Sequence, residues 1–233
     1  MSEDKVKKTT AAFFDVDNTL VRGSTAFLYA KVALEIGVFK RTDLWRMGFE
    51  QLRFIWRGEN NDRLANIKDR ALGLIAGASR EEMHSLMEKV WEKEIKRKVW
   101  PEMVEIVQHH LSQGREVWLI TASPKELGEL IAEKIGATGA LGTVVEHKDG
   151  VMTGKLVGPP LHGAEKAKAA KKLARKRNLS LRRSWAYSDS RNDLPLLTLV
   201  KHPVAVNPDK LLKRHAELAN WKILTFKKKE LKK

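Results

Sequence analysis

Cysteine is absent from this chain of 233 residues. That excludes disulfides and thiolate metal sites, and it suits a reducing compartment. Long apolar runs are missing too: nothing approaches the roughly 18 consecutive apolar residues of a membrane-spanning helix. The opening MSEDKVKKTT leads into only four apolar residues, Ala11 to Phe14, too few for the core of a signal peptide. A cytoplasmic location is therefore expected. Acids are the minority charge, 29 against 44 Lys and Arg, for a formal net charge of +15. Between Lys166 and Arg183 there are nine basic residues and no acid, and FKKKELKK adds a second basic cluster near the end. Such a field attracts nucleic acid, anionic membrane or phosphorylated metabolites, although a lysine run is more often a solvated helix face. No internal repeat is evident.

What is present alternates between two textures. TAAFFDV, EVWLIT (116–121), SWAYS (184–188) and PVAV (203–206) are short apolar runs that end in polar or turn residues, the pattern of buried strands in a mostly parallel sheet. Between them, Met103, Val107, His110 and Leu111 share one helical face, as do Ala167, Ala170, Leu173 and Ala174. The expected fold is α/β: a Rossmann-like, mostly parallel sheet with helices on both faces. TVVEHKDGVMTGKLVG (143–158) reads as a hairpin turning at Asp149-Gly150. From Ser24 to Lys98 the alternation stops. Leu44, Met47, Leu52 and Ile55, then Met83, Leu86, Met87 and Val90, fall at helical spacing, with Trp45, Trp56 and Trp91 adding bulk. This predicts a small all-helical cap over 23–98, inserted after the first strand of a core made of 1–22 and 99–233. Trp100-Pro101 marks the return to the core.

In open α/β sheets, function gathers at the carboxyl ends of the strands. Here those ends carry Asp15 and Asp17, then Thr121, then Ser188-Asp189 followed by Asn192-Asp193, with Lys166 near the start of the basic helix. Asp15 and Asp17 share one face at strand spacing, so their charges repel unless a cation or hydrogen bonds intervene. Clustered carboxylates without His or Cys select a hard cation such as Mg²⁺, which takes one or two carboxylates plus water and phosphate oxygens. A lysine and a hydroxyl suit the oxygens of a phosphoryl group. One carboxylate can then attack phosphorus, and the second can protonate the leaving oxygen and later activate water. His109 and His110 are adjacent on a helix and cannot chelate one ion together.

DVDNT resembles the D-x-D-x-[TV] motif of the haloacid dehalogenase superfamily. Thr121, Lys166 and DSRND are similar, in order, to its second, third and fourth motifs, and the insert resembles the helical cap of the subgroup that includes phosphoserine phosphatase. The resemblance runs from Ala11 to about Asp209, with SDSRNDLPLL and HPVAVNPD similar to the bacterial phosphoserine-phosphatase-like members. It implies Asp15 as the nucleophile and Asp17 as the general acid and base. Thr121, Lys166 and Asn192 would then be phosphate-binding. Mg²⁺ would be held by Asp15, the Asp17 main-chain carbonyl and Asp189, with Asp193 supporting it.

The implied reaction is Mg²⁺-dependent hydrolysis of a small phosphorylated metabolite through an aspartyl phosphate. Phosphoserine itself is the alternative substrate. Where phosphoserine phosphatases place a glutamate for the substrate amine this chain has Ser24, and TASP stands where they show Ser-Gly-Gly. Ser24, Arg53 and Arg57 are the substrate candidates, with Arg63 and Arg70 also available in the insert. The other alternative is a basic protein of this fold that binds membrane or nucleic acid. An anionic membrane surface or phospholipid head group fits the basic helix, and nucleic acid is not expected.

Overall fold

Strand and helix alternate around a six-stranded sheet, every neighbouring pair of which is parallel. The computed structural model describes residues 9–37 and 76–227. Its strands are β1 (Ala11–Asp15), β2 (Glu116–Pro124), β3 (Gly139–Thr143), β4 (Val145–Lys148), β5 (Val151–Leu156), β6 (Trp185–Ser188), β7 (His202–Val206) and β8 (Lys222–Leu224). The main sheet has the order β3-β2-β1-β6-β7-β8. Its described helices are α1 (Thr25–Glu35), α2 (Arg80–Val90), α3 (Pro101–Ser112), α4 (Lys125–Ile135), α5 (Ala164–Lys176), α6 (Leu194–Leu197) and α7 (Lys210–Leu218). None of them is long and apolar enough to cross a membrane.

The unbroken apolar run of β1 has a physical cause: both faces of the sheet are covered. Ala12 and Phe14 join one buried cluster with Met103 and Val107 of α3 and Leu127, Leu130 and Ile131 of α4. Ala11 and Phe13 join the other with Ala170 and Leu173 of α5, Leu196 and Leu197 of α6, and Leu212 and Ala216 of α7. The four apolar side chains of β1, Ala11 to Phe14, are fully buried, and each phenylalanine contributes about 1.5–3 kcal/mol of hydrophobic burial. Phe14 stacks on Tyr187 of β6 with ring centroids 4.3 Å apart. The Tyr187 hydroxyl lies 2.8 Å from His110 Nε2. Burial, helped by the Arg115 charge, lowers the His110 pKa to about 4. That histidine is therefore a neutral core residue.

The insertion leaves and re-enters the core side by side. The Arg22 amide donates to the Lys98 carbonyl at 2.8 Å, and the Trp100 amide donates to the Leu20 carbonyl at 3.0 Å. Ahead of this crossing, Asn18 adopts a left-handed φ of 58° and Gly23 one of 96°, reversing the chain at the end of β1. Met83, Leu86, Met87 and Val90 line the buried side of α2, as their spacing predicts. Ser79 and Glu82 close a reciprocal capping box at its start. The stripe formed by Leu44, Met47, Leu52 and Ile55 lies outside the described residues.

Asp149 and Gly150, both at positive φ, turn the expected β4–β5 hairpin, a separate two-stranded sheet. The sequence reading did not identify β3 or β8. GALGT looks like a loop because glycine weakens strand propensity. Close packing requires those glycines: a Cβ on Gly139 would stand 2.7 Å from the Trp118 ring, and one on Gly142 would stand 2.5 Å from the Lys125 backbone.

Candidate active site

Sheet register brings the motifs to one level. Asp15 pairs with Ile120, which places Thr121 one residue further along β2, while Phe14 pairs with Tyr187, so that Ser188 and Asp189 follow on the other side. Lys166 reaches the same edge from the first turn of α5, entered through Gly163 at a left-handed φ of 54°. The two lysines that the sequence offers there have different fates. Lys166 is 4% exposed, whereas Lys168 is exposed and pairs with Glu165 at 2.6 Å.

The Lys166 ammonium lies 2.5 Å from Asp15 Oδ1 and 2.8 Å from Asp193 Oδ2. Ser188 donates to the same Asp193 oxygen at 2.7 Å. Asp193, at 2% exposure, thus anchors the lysine through Oδ2, where the sequence reading has it supporting a metal. The second Asp15 oxygen accepts from Thr19 Oγ1 at 3.1 Å, and that hydroxyl also lies 3.5 Å from Asp189 Oδ1. Thr19 therefore ties the first motif to the fourth, a part the sequence reading did not assign to it.

The electrostatics follow from burial. Loss of water raises the Asp15 pKa, Lys166 pulls it back, and the nearby Asp193 and Asp189 charges raise it again, leaving it at about 7. Burial likewise lifts Asp189 to about 6, with the Asp193 and Asp209 charges adding to it. For Lys166, burial alone would lower the pKa, but the Asp15 and Asp193 carboxylates outweigh it and hold it above the ordinary lysine value.

Asp17 faces the insertion. Its Oδ1 accepts from the Thr25 amide at 2.7 Å and from the Thr25 hydroxyl at 2.6 Å. Thr25 Oγ1 is in turn 2.8 Å from Ser123 Oγ. Thr25 was not legible as a site residue, because a Ser-Thr pair opening a helix reads as a cap, and Ser123 was not singled out beside Thr121. Ser24, a substrate candidate by sequence, is that cap: it is exposed and accepts the Phe27 amide at 3.4 Å. Thr121 is buried at 1% exposure, and its Oγ1 accepts the Ser123 amide at 3.0 Å. This leaves the Thr121 hydroxyl proton free to be donated. Asn192 is exposed on the rim, with its main-chain amide donating to Ser190 Oγ at 3.2 Å. Arg53 and Arg57 lie outside the described residues.

The donor chemistry fits a hard cation. Asp15, buried, and Asp189, partly buried, are acids bridged by one hydroxyl, both with raised pKa values, and a divalent ion beside them would favour their charged forms. Among the described residues no three His, Cys, Asp or Glu side chains are grouped to hold an ion by themselves. Two carboxylates and a carbonyl, completed by water and phosphate oxygens, are what magnesium-type coordination asks for.

A parallel sheet with carboxylates and a lysine gathered at its carboxyl edge, beside a helical insertion, defines a class of α/β hydrolases. The sequence profile of the haloacid dehalogenase-like hydrolases matches residues 12–198, and the chain belongs to that family, in its phosphoserine-phosphatase-like branch. It is an enzyme of the phosphoric monoester hydrolase type, and metal dependence goes with that membership. Over 220 residues it is 44% identical to phosphoserine phosphatase SerB1 of Mycobacterium tuberculosis, covering 94% of this chain and 71% of that one. It is 30% identical to histidinol-phosphatase of Neisseria meningitidis, covering 93% and 98%. Among solved structures, a Bordetella pertussis protein of unknown function superposes with a TM-score of 0.83 at 26% identity, covering 94% and 99%.

Proposed function

We propose that the chain hydrolyses a small phosphomonoester whose alcohol part carries an ammonium group, with phosphoserine as the first candidate. The observation that carries the chemistry is Lys166 held between Asp15 and Asp193 at a buried edge that also contains Thr121, with the partly buried Asp189 beside it. The substrate class is supported by similarity to two enzymes named for phosphoserine and histidinol phosphate, both phosphomonoesters of amino alcohols.

Residues 23–98 form the cap and 1–22 with 99–233 the core. Thr121 and Lys166 hold the phosphoryl oxygens, and Asn192 contributes from the rim. A carboxylate oxygen of Asp15 attacks phosphorus as the bond to the alcohol oxygen breaks, and Asp17 gives that oxygen a proton. Water then attacks the aspartyl phosphate, Asp17 takes the water's proton, and Asp15 is released with inorganic phosphate. The Asp15 and Asp189 carboxylates and the Asp17 main-chain carbonyl would hold Mg²⁺, which would supply neutralisation of phosphoryl charge.

The test is phosphate release from a panel of phosphoserine, histidinol phosphate, glycerol phosphate and p-nitrophenyl phosphate, with and without Mg²⁺. Turnover that requires Mg²⁺ and is lost in Asp15→Asn supports the mechanism, and turnover that survives in Asp15→Asn overturns it. The best substrate in the panel decides between phosphoserine and its competitors.

A second reading concerns where the enzyme works. Lys168, Lys171, Lys172, Arg175 and Lys176 line one shallow concavity on the outside of α5. On α7, which packs on the same side of the sheet, Leu211 and Leu218 stand 53% and 77% exposed. Basic charge on one helix and protruding leucines on another of the same side of the sheet suit an anionic lipid surface.

A further inference from the structure

Three side chains from separate parts of the chain meet in one line: Ser123 past the end of the phosphate-binding segment of β2, Thr25 on the first turn of α1, and Asp17. Thr25 is fully buried and Ser123 is 5% exposed. The proton count sets the direction of the line. A threonine hydroxyl has one hydrogen. At 2.6 Å from a carboxylate oxygen, which can only accept when ionised, that hydrogen belongs to Asp17 Oδ1. The contact of 2.8 Å between Ser123 Oγ and Thr25 Oγ1 must then be donated by Ser123. The chain of donors runs from Ser123 to Thr25 to Asp17, and bonds in such a chain polarise one another. The Thr25 amide adds a second donor on the same oxygen at 2.7 Å.

We infer that Ser123 and Thr25 are positioning residues that fix the aim of Asp17 by holding its Oδ1, leaving Oδ2 to face the leaving-group oxygen. The inference rests on the proposed role of Asp17 as general acid and base. Both donors to Oδ1 come from Thr25, the first residue of α1, so the orientation of the proton donor is tied to the placement of α1. Ser123 has a second part: its amide fills an acceptor position on Thr121 Oγ1, which turns the Thr121 hydroxyl hydrogen outward. One residue therefore orients a phosphoryl ligand through its backbone and the acid through its side chain.

Leaving-group dependence separates this role from a purely structural one. An alkoxide needs a proton to depart and p-nitrophenolate does not. Correct aim of Asp17 therefore matters for alkyl phosphates and much less for p-nitrophenyl phosphate. The experiment measures kcat/KM, which reports steps up to formation of the aspartyl phosphate, for phosphoserine (or the best alkyl phosphate of the panel) and for p-nitrophenyl phosphate. The proteins are wild type, Ser123→Ala, Thr25→Val, Thr25→Ser and Asp17→Asn, with Asp15→Asn as the inactive control. Asp17→Asn should lose about 100-fold or more on the alkyl ester, in line with general-acid contributions, and far less on the aryl ester.

Ser123→Ala and Thr25→Val should follow the same selectivity, with alkyl losses of about 10-fold and about 30-fold, and Thr25→Ser should recover most of the loss. If Asp17→Asn is selective but Ser123→Ala and Thr25→Val are unselective or unaffected, the positioning role is overturned and the acid role of Asp17 stands. An unselective Asp17→Asn overturns both. Ser123→Ala, which removes one oxygen from a nearly closed site, keeps the test decisive if Thr25→Val does not fold.

Discussion

Asp189 shows the cost of placing a carboxylate where a cation is needed. Its folded pKa, about 6, lies above the ordinary value of 3.8 because burial penalises its charge. A raised acid pKa means that the folded protein binds the proton more tightly than the unfolded chain. The penalty therefore begins as pH rises through 3.8 and is complete above about 6. Asp189→Asn should raise the stability of the metal-free protein at pH 7.5 by about 1–2 kcal/mol, after discounting for its partial exposure, and leave it unchanged near pH 3.5. Added Mg²⁺ should raise the wild-type Tm and raise that of Asp189→Asn much less. Thermal unfolding at both pH values, with and without MgCl₂, checks this, and an Asn variant less stable than wild type at pH 7.5 would refute the account. The same trade-off holds at Asp15, except that Lys166 already returns part of what burial costs.

At the scale of elements, the two ends of the insertion are tied together by one buried acid. Glu94 lies in the helical turn Trp91–Ile95 that follows α2. Its side chain is 4% exposed and receives Lys31 of α1 at 2.6 Å, Arg97 at 2.7 Å and Lys98 at 3.2 Å. Burial alone would raise its pKa, but hydrogen bonds from Arg97, Lys31 and Lys98 hold it at about 2. A depressed acid pKa contributes stability above the unfolded value of 4.5, which is lost as pH falls toward 2. Glu94→Gln should therefore cost about 1–2 kcal/mol at pH 7, with the difference from wild type closing by pH 2. Denaturant titrations across that range would show it, and a gap that persists at pH 2 would place the cost in packing. The helical stripe of α2 was readable from sequence because burial follows its period. The Glu94 junction was not, since its partner Lys31 comes from the far side of the insertion.

Over the whole molecule the formal charge is +15, and five of its basic residues, Lys168, Lys171, Lys172, Arg175 and Lys176, line one concavity on α5. If that face meets anionic lipid, each Lys or Arg contributes about 1 kcal/mol at low salt, and binding fades as screening shortens the range of the field. Sedimentation with phosphatidylglycerol vesicles at 50 mM salt should pull down wild type, and much less of a variant with Lys171, Lys172 and Arg175 changed to Glu. Absence of sedimentation would remove the reading. Equal binding to duplex DNA with a steep salt slope would assign the face to nucleic acid.

Composition, strand periodicity and the order of the four motifs were sufficient to determine the parallel sheet and the helical insert and to put carboxylates at the strand ends, because all three are local patterns. A doubly covered sheet needs apolar runs, and a phosphoryl site needs acids, a hydroxyl and a lysine at strand ends. The tertiary structure decided which polar groups meet. It put Lys166 between Asp15 and Asp193, turned Asp17 toward Thr25, made Ser24 a cap, and recruited Ser123, Ser188 and Thr19. Those partners lie up to 170 residues apart in the chain. Hydrogen bonds between them depend on distances of a few ångströms that no spacing along the sequence encodes.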